Sequence, residues 1–299
     1  MAGNVGSRAF QNARLEKKNR KQAEPLLAAA AAAHRARRPD EVRALCSQVL
    51  ALLPDHGGAL RLLGMAALDA GALNDAAAAL TRAVEVDPRD VDAHANLGIV
   101  LSNMGRHAEA LRHQERAVAL VPNFFAGWNS LGSTLLRLQQ AEQAIAAYDR
   151  ALALKPDYAE AHCNRGMALL LVDRSAEALQ SFDRALAFNP RHVQALHGKG
   201  MVNLGLRHVD AALAAFDAAL AISPDAASVL AERGRAYLQA GRFDQAKADF
   251  DAALAHAPDL EAALLGRAHL GVHQNDVAPA VAACRKVLEQ NPNSEAAWT

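Results

Sequence analysis

The sequence predicts an all-α chain built as an α-solenoid, eight stacked helix pairs rather than a globule around one core. Three observations predict it. Eight prolines fall at a strict 34-residue interval, Pro54, Pro88, Pro122, Pro156, Pro190, Pro224, Pro258 and Pro292, and only Pro25, Pro39 and Pro279 lie outside that register. Between successive prolines, apolar and small residues recur at helical spacing in two runs. The composition is 52% hydrophobic, mostly alanine and leucine, with only 4% aromatic residues, which suits many closely packed helices.

With proline as position 32, units begin at residues 23, 57, 91, 125, 159, 193, 227 and 261. This leaves a basic tail over residues 1–22, disordered or helical, eight units over 23–294, and the opening of a ninth at 295–299 with Trp298 at position 4. In each unit the first helix carries apolar or small residues at positions 4, 8 and 11, and the second at 20, 24 and 27. Position 8 is Gly64, Gly98, Gly132, Gly166, Gly200 and Gly234, with Ala30 and Ala268 at the ends. A mid-helix glycine costs on the order of 1 kcal/mol against alanine, so six at one position imply close backbone approach, expected against the alanines at 20 and 27. Gly71, Gly105 and Gly241 at position 15 mark the turn between the helices. The proline ends the second helix and starts the turn into the next unit.

Formal net charge is zero but uneven. Residues 1–38 carry nine Lys or Arg against Glu16 and Glu24, a surplus of seven that the remainder offsets. A basic terminus can touch nucleic acid or anionic lipid, but it is more commonly a solvated tail, and nucleic acid is not the expected partner. Cys46, Cys163 and Cys284 form no CxxC pair, which implies no disulfide framework and fits a reducing, cytoplasmic compartment. Cys46 and Cys284 share position 24 and are expected as small buried hydrophobes. The apolar stretch from Leu26 to Ala33 is too short to span a bilayer.

The pattern resembles the tetratricopeptide repeat (TPR). That family's signature has an aromatic or large residue at position 4, leucine at 7, glycine at 8, alanine at 20 and 27, an aromatic at 24 and proline at 32. The unit starting at 125 matches best, with Trp128, Leu131, Gly132, Leu135, Ala144, Tyr148, Ala151 and Pro156. The resemblance covers residues 23–294. It implies a right-handed superhelix of antiparallel helix pairs whose inner groove binds peptides or partner proteins.

The clearest departure is at position 7, where Leu63, Leu97 and Leu131 give way to Arg165, Lys199, Arg233 and Arg267. A basic stripe for an acidic ligand is one reading. The other is a repeated ion pair, since position 25 is Asp149, Asp183, Asp217 and Asp251. Pairing each aspartate with position 7 of the next unit satisfies all four bases, whereas pairing within a unit leaves Arg267 facing Arg285. The expected bridges are therefore Asp149–Arg165, Asp183–Lys199, Asp217–Arg233 and Asp251–Arg267.

The resemblance places the groove at first-helix positions 2, 5, 6, 9 and 12. Groove candidates are Arg61, Met65, Asn96, Ile99, Asn129, Ser133, Asn164, Met167, His197, Met201 and Arg235. Met65, Met167 and Met201 share position 9; they suit an adaptable groove, or equally fill gaps between helices. Asn96 and Asn164 at position 6 are similar to the asparagine ladder of O-linked N-acetylglucosamine transferases, which holds a peptide backbone, but Gly198, Glu232 and Gly266 break it. The chaperone-type carboxylate clamp is absent, because Arg61 is followed by Met65 where that clamp needs asparagine.

His269 and His273 have metal-ligand spacing, but no third ligand is evident and no metal is expected. His94 and His162 replace the position 4 aromatic and are expected to pack. No P-loop, nucleophile elbow or dinucleotide fingerprint appears, so no cofactor or catalytic residue is assigned and the chain is not expected to be an enzyme itself. The expected function is a protein-interaction scaffold. The alternative is the substrate-recruiting arm of a longer glycosyltransferase, because the Asn164-Arg165-Gly166 and Phe182-Asp183-Arg184-Ala185-Leu186 wording looks like arrays that precede such domains, and the ninth unit begins without finishing.

Overall fold

The structure, a computed structural model, describes residues 3–275 and 277–294; the start of a ninth unit, with Trp298, lies outside the described residues. The chain divides into two compact units, Met1–Leu154 and Lys155–Thr299, each taken here by itself. The first holds α1 (Gly3–Arg35), α2 (Pro39–Leu52), α3 (Gly57–Asp69), α4 (Leu73–Val86), α5 (Val91–Asn103), α6 (His107–Leu120), α7 (Phe125–Arg137) and α8 (Ala141–Leu154). The second holds α9 (Ala159–Leu170), α10 (Ser175–Phe188), α11 (Val193–Gly205), α12 (Val209–Ile222), α13 (Ala227–Gln239), α14 (Phe243–His256), α15 (Glu261–His273) and α16 (Val277–Gln290). No strand occurs among the described residues. Within each unit, every odd-numbered helix packs on the even-numbered helix after it, and successive odd-numbered helices lie side by side. This is an all-α helical-repeat architecture.

Local chemistry fixes the helix ends. The Asp90 carboxylate accepts from the Ala93 N–H at 3.0 Å, and His56 Nδ1 accepts from Ala59 N–H at 3.2 Å, so each closes an orphan donor of the first turn. Ahead of the repeat prolines the backbone leaves the helix, as at Ser223 (φ −132°, ψ 84°), because a proline ring disfavours helical geometry in the residue before it. Position 15 is left-handed in all eight turns: Arg37, Gly71, Gly105, Gln139, Asp173, Arg207, Gly241 and Asn275 have φ between 55° and 76°. Glycine occupies only three of these, so five side chains sit in a backbone that favours glycine.

The alanines at 20 and 27 are buried, as in Ala144, Ala151, Ala178, Ala185, Ala212 and Ala219. What meets the position 8 glycines first is another side chain, although at Gly98 the Ala110 carbonyl also comes within 3.3 Å of where a Cβ would stand. A Cβ on Gly166 would stand 2.7 Å from the Phe182 ring, and one on Gly234 2.6 Å from the Phe250 ring. The position 24 side chain of the same unit lies against the glycine, and where it is aromatic the missing Cβ makes room for a ring. Phe182 also covers Gly198 and Phe250 covers Gly266, the position 6 residues of the following units. That explains why the asparagine ladder breaks at those two places: a side chain there would enter the ring.

Helix α1 runs through residue 23 without interruption. Ala23, Ala30 and Ala33 face the array, and Asn19 Nδ2 donates to the Leu52 carbonyl at 3.0 Å. Arg14, Lys17, Lys18 and Lys21 are exposed. Cys46 and Cys163 are buried, and Cys284 is half-buried. Burial pushes the Cys46 thiol up to about 11 and, with a smaller push from Glu160, Cys163 up to about 12.

Candidate functional site

Positions 6, 9, 12 and 13 of the first helices bring residues of neighbouring repeats to one face in each unit. In the first unit this face encloses a cavity of about 560 Å³ whose lining includes Met65, Leu68, Asp69 and Asn96, with Arg35, Arg37 and Arg38 from the end of α1 and its turn. In the second unit a cavity of about 580 Å³ is lined by Met201, Leu204, Glu232, Arg235, His269 and His273, among others.

The candidates divide by whether a partner in the chain already claims them. Asn96 is half-buried, and no hydrogen bond to its side chain occurs among the described residues. Met65 lines the same cavity, so α3 and α5 present a thioether and a free amide together. Arg61 is taken: it pairs with Asp92 and lies 3.6 Å from Asp90, tying two repeats together. Asn129 is buried, and Ser133 is engaged, donating to the Asn129 carbonyl at 3.2 Å and lying 3.2 Å from the Tyr148 hydroxyl. Ile99 is half-buried, as is Asn164, and Met167 is 37% exposed. Met201 packs partly on the core while lining the second cavity, where Arg235 is held by Glu232 at 2.7 Å. His197 stands tilted against Phe216, and its Nε2 is buried with no hydrogen-bond partner. Burial, opposed by Glu232, lowers its pKa and favours the neutral ring.

Three of the four position 7 bases meet the preceding aspartates. Lys199 Nζ lies 2.7 Å from Asp183, Arg233 2.6 Å from Asp217, and Arg267 pairs with Asp251. Asp149 and Arg165 fall on opposite sides of the division between the units. Arg165 also donates to the Ser181 hydroxyl at 2.7 Å within its own repeat, and Arg233 makes two 2.7 Å hydrogen bonds to Asp249. These second acceptors are at position 23, which sequence reasoning had not considered; Arg233, with an acid on each side, is the point where the charge alternation shows it. The hydrogen bonds that Arg233 donates to Asp249, with the one it donates to Asp217, hold its guanidinium above the usual arginine range.

The position 4 rings do more than pack. Trp128 Nε1 donates to the Pro122 carbonyl at 3.0 Å, while His94 Nε2 and His162 Nε2 lie 3.2 and 2.9 Å from the carbonyls of Pro88 and Pro156. Tryptophan and histidine interchange there because each offers a ring N–H to the proline carbonyl. His94 Nδ1 then faces His113 Nδ1 at 3.0 Å. Burial first, and then the neighbouring His94, lower the pKa of His113. His269 and His273 line the second cavity, and His273 stacks on Phe243. Among the described residues no group of three or more His, Cys, Asp or Glu is placed to hold a metal ion. No described helix is long and apolar enough to cross a membrane.

A family model described as tetratricopeptide repeat matches residues 61–123, 172–227 and 232–295, more than half of the chain, and a second, described as TPR repeat, matches 134–172. The chain belongs to the tetratricopeptide repeat family. No curated protein matches the sequence significantly. Solved structures align along most of it. The anaphase-promoting-complex heterotetramer Cut9–Hcn1 aligns with a TM-score of 0.71 and 19% identity over 91% of this chain and 54% of that one. A TPR protein from Parabacteroides merdae aligns with a TM-score of 0.67 and 21% identity over 81% and 96% of the two chains. YrrB, described as a TPR protein with an unusual peptide-binding site, gives 0.51 and 23% over 62% and 95%. This chain thus spans about half the length of the first of these. The TPR signature accounts for positions 8, 20, 24, 27 and 32; the basic position 7 residues and their aspartate partners, two of them at Arg233, are what this chain adds to it.

Proposed function

We propose that this TPR protein is a non-catalytic interaction scaffold that binds an extended peptide or a segment of a partner protein along the face made by its first helices. The observation that carries this reading is the pairing of Met65 with the unpartnered amide of Asn96 in one cavity. An apolar, adaptable thioether beside a free donor and acceptor suits a peptide backbone with its side chain. The peptide-binding site named for YrrB supports the reading at the level of fold. Affinity capture with the intact array, repeated with Asn96, Asn164 and Met167 replaced by alanine, tests it. Partner recovery is expected to fall; unchanged recovery would count against the groove.

A second reading makes the same face the recruiting arm of a glycosyltransferase resembling the O-linked N-acetylglucosamine enzymes. It rests on the Asn164-Arg165-Gly166 wording. Mass spectrometry of captured partners separates the two, because only the second calls for a sugar on partner serines or threonines.

A further inference from the structure

The cavity of the first unit is not neutral. Its floor is Met65 and Leu68, and its rim carries Arg35, Arg37 and Arg38. Arg38 is engaged by Glu41 at 3.3 Å, and the one carboxylate in the wall, Asp69, lies 3.7 Å from His34. Among the described residues Arg35 and Arg37 have no acidic partner, and both are exposed. The two guanidiniums thus stand at the same cavity as the free amide of Asn96 and the apolar Met65. Arg37 occupies a left-handed turn (φ 55°) where the corresponding residue of the next two repeats is glycine. The backbone there favours the residue that would remove the charge.

We infer that the α1–α3–α5 end of the groove takes an extended partner segment in which acidic side chains alternate with apolar ones. The carboxylates meet Arg35 and Arg37, an apolar side chain enters between Met65 and Leu68, and the Asn96 amide bonds the segment's backbone. The inference rests on the scaffold reading above and adds the chemistry of the occupant. Alternation follows from the geometry of an extended chain, whose successive side chains point to opposite sides, one toward the basic rim and one toward the apolar floor. Arginine pairs carboxylates through two parallel N–H donors, so it selects for acid and geometry together.

Fluorescence anisotropy on the full chain tests this, with a labelled peptide of alternating glutamate and leucine and its glutamine–leucine counterpart. The acidic peptide is expected to bind about tenfold more tightly, with an affinity that falls as salt is added. Arg35→Gln with Arg37→Gly should bring it down to the glutamine level, while Asn96→Ala should weaken both peptides. Glycine suits the turn at residue 37, so a loss there is not a folding failure. Equal binding of the two peptides would overturn the acid selectivity and leave the groove standing. Failure of both peptides would overturn the proposed occupant, with the groove itself still judged by the capture experiment. Binding that survives the arginine changes but is lost when Arg14, Lys17, Lys18 and Lys21 become glutamine would move the site to α1 and sink the proposal. Competition by inorganic polyphosphate equal to that of the unlabelled acidic peptide would also sink it, since the attraction would then be for any polyanion.

Discussion

The two units build one repeat with different seams. In the first, position 7 is Leu63, Leu97 or Leu131, and position 24 holds Leu80, Gln114 and Tyr148 in its second to fourth repeats. In the second, position 7 is a base, held by aspartates at Lys199, Arg233 and Arg267, and position 24 is Phe182, Phe216 and Phe250 in its first three repeats, each fully buried. A leucine seam needs only shape. An ionic seam needs partners in register, and once one base is present the acid becomes obligatory, because a partly buried charge without its partner is costly. The rings impose a matching demand for glycine. Neither device can be exchanged one residue at a time, which makes the contrast testable by substitution.

The largest effect is expected from removing a ring. Phe250→Ala should cost about 3 to 5 kcal/mol in urea unfolding followed by circular dichroism, because the ring fills space against both Gly234 and Gly266. Next comes the ionic seam. Asp249→Ala leaves Arg233 without its two-fold acceptor in a site where Asp249 is only 6% exposed, and should cost about 2 to 3 kcal/mol. Arg233→Leu combined with Asp249→Ala installs the leucine seam of the first unit and should recover most of that loss. If the double variant is as unstable as the single, the seams are not equivalent solutions.

In the first unit the sign reverses. Gln114 takes the place of a ring, is 2% exposed, and its Oε1 has no hydrogen-bond partner. Gln114→Leu should therefore stabilise by about 1 to 2 kcal/mol. A smaller gain, about 1 kcal/mol, is expected from glycine at Gln139, whose left-handed turn already favours it, and thermal melts should resolve it.

The smallest effect concerns pH. In the folded chain the pKa of His113 lies below 6.5, through burial first and His94 second, with Arg112 adding to the depression and Glu109 opposing it. Between the folded value and 6.5 the unfolded chain therefore binds the extra proton, so stability falls as pH drops through 6.5 and is retained above it. His197 in the second unit shifts the same way, through burial. His113→Gln should flatten the slope of unfolding midpoint against pH in this range. An unchanged slope would show that burial of His113 does not make stability depend on pH in this range.

Much of this was legible because a repeat is its own control. The 25-to-7 pairing could be read from which positions changed together across units. Position 23 was not legible, because nothing in spacing says that an arginine held from one side by Asp217 also reaches back to Asp249 in its own repeat. The role of Gly198 and Gly266 was hidden for a similar reason: they are small on account of a ring in the previous repeat, not of anything nearby in sequence. The left-handed turns were visible only where glycine marked them. For the site, position numbers named residues of one face, but they could not tell Arg61, already claimed by Asp90 and Asp92, from Asn96, which has no partner among the described residues.

Phe182 rests on Gly166 and Gly198, and Phe250 on Gly234 and Gly266, so each ring belongs to two repeats at once. The period of the sequence is therefore not the period of the keying. A chain shortened after residue 226 keeps Phe182 seated on both sides, whereas one shortened after residue 192 bares that ring to water. In the second unit the natural increment for trimming or extending the molecule is two repeats, not one.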